Sequence, residues 1–341
     1  KKNMILNLLI IVIMCSGLNY LFNKNNYYLK TEKDLHQNFT NKSYVLPVGG
    51  IYIFISIIIF NLYFLNIIYF YLFIMLLIGC LSDFKKLNSP ILRLSFQILV
   101  ILACVLNNEI TLSSTRLSFL DSILEYQLFN VIFVCFCILI VINGTNFIDG
   151  LNGLVITYYS LVISFLYLLS LENQLFQNSE FLISLLIVLL LLLVFNFMNK
   201  IYLGDSGSYL LGFLFGVYLI KLYMNNQYIS PYYIILLLWY PCFENLFSII
   251  RKYSYNLSPT LPDTRHLHQL IFNFLKLKIK NKNNNFVNNF SSIIINLYNF
   301  MIFLVGYNFV TKTDVLISLI LLNIFFYSYA YFYLLKKILN K

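Results

Sequence analysis

Three aspartates, an arginine and two closely spaced histidines stand out in an otherwise apolar chain of 341 residues. Each aspartate sits among small or amide residues at the edge of an apolar run: Ser82-Asp83, Asn146-Phe147-Ile148-Asp149-Gly150, and Gly204-Asp205-Ser206-Gly207-Ser208. The arginine and histidines fall in Pro262-Asp263-Thr264-Arg265-His266-Leu267-His268. Carboxylates of this kind are hard oxygen donors, which Mg²⁺ takes one or two at a time beside substrate phosphates. An arginine fork matches phosphate oxygens two at a time. Histidines two residues apart point the same way if the backbone is extended. The set suits phosphoryl transfer, in which a metal bridges phosphates and cationic side chains hold the charge that spreads in the transition state.

The surroundings of these residues add further candidates. Asn143, Asn146, Asp149 and Asn152 recur every three residues between two apolar runs. Four such groups at a helix junction are costly to bury unless they bind something, and their spacing predicts a break at Gly150 or Gly153. Ser206 and Ser208 are candidate donors to phosphate oxygens, and Asp205 is the leading metal ligand, with a helix cap as its bland alternative. Pro47-Val48-Gly49-Gly50 opens an apolar run, where the amides of Gly49 and Gly50 can approach a phosphate closely. Asp83 is followed by Lys85, Lys86, Arg93 and Gln97. The six cysteines show no CxxC spacing and read as core residues. Lys276, Lys278, Lys280 and Lys282, spread among apolar residues, suit a segment lying on a membrane surface. The Asn-rich stretch 281–289 carries little functional weight, since coding bias accounts for such a composition.

The elements that must position these groups are membrane helices. The chain is 60% hydrophobic and 11% charged, against about 25% charged residues in soluble domains. Its apolar runs repeatedly approach or exceed the ~20 residues that cross a hydrocarbon core. They are apolar all round, which disfavours the alternating strands of a membrane β-barrel. The expected fold is an all-α polytopic bundle in one domain, with eleven spans near 4–22, 48–65, 66–82, 94–108, 128–144, 153–171, 181–198, 207–224, 231–250, 289–309 and 314–335. The first run is read as a span, not a cleaved signal. Alternating the connections puts eighteen Lys and Arg on one side and five on the other. The rule that positive loops stay inside then makes the first side cytoplasmic, with the N-terminus outside and the C-terminus inside. All the polar clusters fall on that side. The net charge of +10 is thus mainly a topology signal, and nucleic-acid binding is excluded because the aromatic residues lie in the spans. A secondary transporter would place its ionisable residues at mid-membrane on broken helices. A lipid-binding scaffold would not need the aspartates and histidines together.

Taken in order, these motifs resemble the polyprenyl-phosphate N-acetylhexosamine-1-phosphate transferases, glycosyltransferase family 4. That family includes the phospho-N-acetylmuramoyl-pentapeptide transferases and the undecaprenyl-phosphate N-acetylglucosamine-1-phosphate transferases. The resemblance covers roughly residues 30–270. It implies transfer of a sugar 1-phosphate from a UDP-sugar to a polyprenyl phosphate, with Mg²⁺, or Mn²⁺ in its place, as cofactor. The expected partners are the UDP-sugar, the lipid phosphate, the membrane and a second copy of the chain. The expected location is a bacterial cytoplasmic membrane, with the site facing the cytoplasm. By resemblance, Asp205 and Asp83 hold the metal, and Ser82, Asp83 and Asp149 form the catalytic group. Asn143, Asn146, Asn152, Ser206, Ser208, Arg265, His266, His268, Gly49 and Gly50 would contact substrate. The chain departs from the family pattern at Ser82, where a second aspartate is common, near Thr40, where a histidine is common, and at Gln269, the third position of the histidine motif. Gln269, Asn152 and the Asn146-Phe147 pair favour the surface-glycan branch over the peptidoglycan branch.

Overall fold

The computed structural model describes residues 17, 45, 47–60, 68–172, 179–256, 258, 265–279 and 283–339. The expected first span, most of the 23–47 loop with Thr40, and residues 259–264 of the histidine motif lie outside the described residues. Thirteen helices are described: α1 Gly49–Ile59, α2 Ile68–Asp83, α3 Pro90–Asn107, α4 Ser118–Leu124, α5 Gln127–Ile148, α6 Leu154–Glu172, α7 Ser179–Phe197, α8 Gly204–Asn225, α9 Pro231–Leu237, α10 Trp239–Ser254, α11 Leu267–Lys278, α12 Asn284–Tyr307 and α13 Thr313–Leu339. Seven of them (α3, α5 to α8, α12 and α13) are long and apolar enough to cross a membrane, and the bent pair α9–α10 makes an eighth if counted as one span. Only helices or closed barrels satisfy every backbone group in lipid, so the chain is an integral membrane helix bundle.

Helix α8 is the axis of the bundle. It is buried without interruption from Ser206 to Ile220, with α1, α2 and α5 packed around it. The outer helices are one-sided: α13 buries Leu316, Asn323, Tyr327, Tyr331 and Leu334 and turns Phe325, Phe326, Tyr329 and Phe332 outward, as a lipid-facing helix does.

The helix ends collect at two poles, and the contacts there follow the alternation expected from the sequence. At one pole Asp83, at the end of α2, meets the start of α8. There too, Asn152 between α5 and α6 bonds Asn199 after α7 and Asn289 in the first turns of α12. At the other pole Arg116, before α4, reaches residues 227–229 between α8 and α9 and Thr311 between α12 and α13.

Two elements differ from expectation. The expected span 231–250 is two helices bent by 74° at Leu238. Pro241 is the physical cause, because it offers no N–H to the carbonyl of Leu237 and its ring clashes there. The break itself, at Leu237, Leu238 and Trp239, is apolar. Helix α5 runs on to Ile148, so Asn143 and Asn146 lie on the helix and not after it. The chain then breaks before Leu154, with Gly153 in the left-handed region at φ +71°, as the glycine spacing predicts. The lysine-bearing surface segment is helix α11, with Lys276 and Lys278 exposed in its last turn.

Candidate active site

The site is built on the N-terminus of α8. Gly204, at φ +73°, turns the chain into the helix. The first amides of a helix have no partner within it, and here a carboxylate from another helix supplies one. Asp83 Oδ1 accepts from the Asp205 amide at 2.8 Å and Oδ2 from the Ser206 amide at 3.0 Å. The cap of α8 is therefore Asp83. Asp205, for which capping was the bland alternative, keeps its carboxylate for side-chain partners. Its Oδ2 accepts from Ser82 Oγ at 2.5 Å and from Arg93 Nη1 at 3.0 Å. Its Oδ1 accepts from Asn146 Nδ2 at 2.7 Å. Arg93 Nη1 also donates to Ser82 Oγ at 2.7 Å. The Arg93 and Asp205 side chains are each 26% exposed, so the pair is open to a ligand and not sealed in the core.

The end of α5 joins this centre to the histidines. Asn146 reaches Asp205, and Phe147 packs 5.3 Å from the His266 ring, centre to centre. Gly150 lies under His268, since a Cβ there would come within 2.2 Å of His268 Nε2. Between them Asp149 caps the end of α5. Burial pushes its carboxyl well above the usual carboxylate range, and the neighbouring carboxylates of Asp205 and Asp83 push it further. Like charges gathered this closely are held apart in protonation unless a cation joins them. His266 and His268 stack nearly parallel, 5.6 Å apart at 8°.

Several expected substrate contacts are used otherwise here. The Gly49 amide donates to Tyr202 O at 3.0 Å, and a Cβ on Gly50 would lie 2.4 Å from the Ser206 carbonyl carbon. This glycine pair lets α1 pack on the start of α8, and the Gly49 amide is spent on that packing. Ser206 and Ser208 are fully buried. The Ser206 hydroxyl donates to Pro47 O at 3.4 Å, and the Ser208 hydroxyl donates to Asp205 O at 3.3 Å and accepts from Asn146 at 3.1 Å. They shape the turn around Asp205. Asn152 is a structural hub, with its amide N–H on Asn288 Oδ1 at 2.8 Å and its side chain on Asn199 at 2.7 Å. Asn288 and Asn289 therefore give the Asn-rich stretch a structural role. Gln269 Oε1 accepts from the His266 amide at 3.1 Å, which explains a glutamine at the third position of the motif. Asn143 donates to Gln97 Oε1 at 3.1 Å, one turn deeper than Asn146. The Arg265 side chain is exposed, and its carbonyl accepts from Arg251 Nη1.

Two groups were underweighted in the sequence. In the sequence Arg93 stands out only as a neighbour of Asp83, yet it is the cation on Asp205. Its distance of ten residues from Asp83 would have revealed it only with the turn between α2 and α3 known. Glu244 gave no signal, being one carboxylate in an apolar run.

A divalent cation fits this donor set. The convergent ligands are carboxylate and hydroxyl oxygens, which suit Mg²⁺ or Mn²⁺. No cluster of three His, Cys, Asp or Glu side chains among the described residues is placed to hold a metal. A cation here would rest on one or two carboxylates, Asp205 first and Asp83 second, and draw its other ligands from phosphates and water.

Residues 64–223 match the family model described as Glycosyl transferase family 4. The undecaprenyl-phosphate alpha-N-acetylglucosaminyl 1-phosphate transferase of Thermotoga maritima is 26% identical over 227 residues, 66% of this chain and 67% of its own length. The probable undecaprenyl-phosphate N-acetylglucosaminyl 1-phosphate transferase of Bacillus subtilis is 26% identical over 211 residues, 59% of this chain and 56% of its own. The phospho-N-acetylmuramoyl-pentapeptide-transferase of Clostridium perfringens is 35% identical over 101 residues, 29% of this chain and 32% of its own. The matches thus span from about a third to two thirds of these relatives. Over residues 64–223, then, the chain is similar to glycosyl transferase family 4, the family that its ordered polar motifs resemble.

Proposed function

We propose that the protein transfers a sugar 1-phosphate, of the N-acetylhexosamine type, from a UDP-sugar to a polyprenyl phosphate, releasing UMP. The observation that carries this reading is the meeting of Asp83, Asp149, Asp205 and Arg93 from four different helices at one pole of a membrane bundle. The names of the relatives give a lipid phosphate and an N-acetylglucosaminyl 1-phosphate group. In this reading the pole faces the cytoplasm, where nucleotide sugars are found, and the lipid phosphate enters from the bilayer between the helices.

The chain's own residues divide the work. Asp83 fixes the start of α8, and so fixes where Asp205 stands. Asp205, with Asp83, would hold Mg²⁺, which supplies charge neutralisation across the diphosphate when bound. Arg93 and Ser82 hold the outer oxygen of Asp205, and Asn146 holds the inner one, so the carboxylate is aligned before substrate arrives. Ser82 replaces an acidic residue without loss of a needed base. A phosphate monoester has a second pKa near ~6 and carries about −1.5 to −2 charges at pH 7, so the lipid nucleophile is already largely dianionic. Arg265, His266 and His268 face the diphosphate of the donor. The test is UMP release by the purified chain from UDP-N-acetylhexosamine. Release that depends on added undecaprenyl phosphate supports the reading; no release from any UDP-sugar with lipid and Mg²⁺ present rejects it.

A further inference from the structure

Residues beyond the family-matched stretch form a second polar centre around Glu244. This carboxylate on α10 is fully buried. Its Oε1 lies 2.9 Å from His266 Nδ1, and its Oε2 accepts from the Tyr327 hydroxyl at 2.7 Å. A buried carboxylate needs partners on both oxygens to offset its lost hydration, and here it has one on each. About two turns along the same helix, Arg251 donates to the Tyr331 hydroxyl at 2.7 Å, to Ser248 Oγ at 3.2 Å and to the Arg265 carbonyl. The Arg251 guanidinium also lies 5.2 Å from the Tyr331 ring centre. Tyr327 and Tyr331 are both on α13, nearly parallel at 6.4 Å. The last helix of the bundle thus grips, through two phenols, the two charged side chains that hold residues 265 and 266.

We propose that Glu244 is a positioning residue for His266, and that α13 acts in substrate binding through it. The inference rests on the function proposed above. An ionised carboxylate only accepts, so its contact requires a proton on His266 Nδ1. That leaves Nε2 as the ring's remaining polar edge and removes rotation about the ring axis as a freedom. The same arrangement, a carboxylate on one imidazole nitrogen setting the role of the other, orients histidines at many metal and catalytic sites. Stacking against His268 and the flanking Phe147, whose other neighbour is Lys252 Nζ at 6.0 Å, holds the ring plane. The ligand for that remaining edge is an anion of the nucleoside diphosphate class.

The experiment uses the full chain in detergent and titrates UDP by calorimetry. Glu244→Gln, His266→Ala and the double variant are compared with wild type. The expected result is a loss of UDP affinity of about tenfold in each single variant, as for a charge-assisted hydrogen bond set out of line, with no further loss in the double variant. The KM for lipid phosphate stays unchanged, which a general loosening of the bundle would not allow. If Glu244→Gln does not yield folded protein, Tyr327→Phe takes its place, with a smaller loss in the same direction. UDP binding unchanged in Glu244→Gln or in His266→Ala, or losses that add in the double variant, would overturn the proposal. A wild-type chain that binds no UDP rejects the functional reading itself and is seen before any variant is made.

Discussion

Both poles of the bundle gather their loops around an arginine, and the two arginines are used in opposite ways. At the pole without carboxylate convergence, Arg116 donates to the carbonyls of Thr311, Gln227, Tyr228 and Ile229 and to Thr313 Oγ1, at 2.9 to 3.3 Å. Its partners are neutral, they come from two connections, and they take up both ends of the guanidinium fork. The chain accepts a left-handed φ of 61° at Arg116 to place it. At the other pole Arg93 gives one nitrogen to Ser82 and Asp205, while its Nε is buried with no partner. It faces a carboxylate that is itself crowded by two others. An arginine spent on neutral acceptors at both ends of its fork is a staple. An arginine set against surplus negative charge, with donor capacity unspent, is a group arranged for something that arrives later.

The largest effect should come from removing the charge that Arg93 answers. Asp205→Asn keeps the shape and loses the leading metal ligand. Turnover should fall by about 10³-fold or more, since a Lewis-acid metal supplies several kcal/mol, while the melting temperature holds. Near-normal, Mg²⁺-dependent turnover in this variant would reduce Asp205 to a structural residue. Arg93→Ala should lower kcat by about 10²-fold, the size seen when one preorganised donor is lost. A fall in melting temperature with kcat intact would instead make Arg93 a staple like Arg116.

Arg116→Ala should show the converse pattern. Its hydrogen bonds are exposed and to neutral acceptors, so about 1–2 kcal/mol of stability is at stake, read as a drop of a few degrees in thermal unfolding with kcat and KM unchanged. A kinetic defect would break the distinction between the poles.

Asp149 gives the subtlest test, through pH. Its carboxyl is raised well above the ordinary 3.8 by burial and by Asp205 and Asp83. A raised acid favours the folded state in its protonated form, so that favour is full below the ordinary value and is lost as pH rises from there through the folded value. Asp149→Asn removes the penalty of ionisation. In chelator, it should raise the melting temperature at pH 8 and change it little near pH 4. A destabilised variant at pH 8 would mean that Asp149 is instead held as a partnered carboxylate.

What was legible in the sequence was the local chemistry and the alternation of ends. Ser82-Asp83, Asn146 and Gly204-Asp205-Ser206 do meet, because each motif is tied to a helix end and helix ends in a bilayer can only collect at two levels. What could not be read was which group caps which. The sequence offered Asp205 as the local cap, and the structure uses Asp83 from a helix over a hundred residues away. Nor could it separate amides that bind from amides that hold the fold. Asn146 and Asn152 sit in one repeat, yet Asn146 faces Asp205 while Asn152 is tied to Asn199 and the Asn-rich start of α12. The bend at Leu238 was hidden in an apolar run whose Pro241 gave the clue. Glu244 and Tyr327 were invisible because their pairing spans 83 positions.

The central claim is that a serine beside Asp83 completes this centre, with Arg93 and Asp205, where the family resemblance leads one to expect a second aspartate. The most direct measurement is the pH–rate profile of wild type and Ser82→Asp with a defined UDP-N-acetylhexosamine, undecaprenyl phosphate and Mg²⁺. Wild type should turn over, with activity falling below about pH 6 as the lipid phosphate takes up its second proton. Ser82→Asp should be slower, because it sets a new carboxylate where the hydroxyl now lies 2.5 Å from Asp205 Oδ2. An inert wild type, with turnover gained in Ser82→Asp, would contradict the account and show that the natural chain lacks a base that the reaction needs.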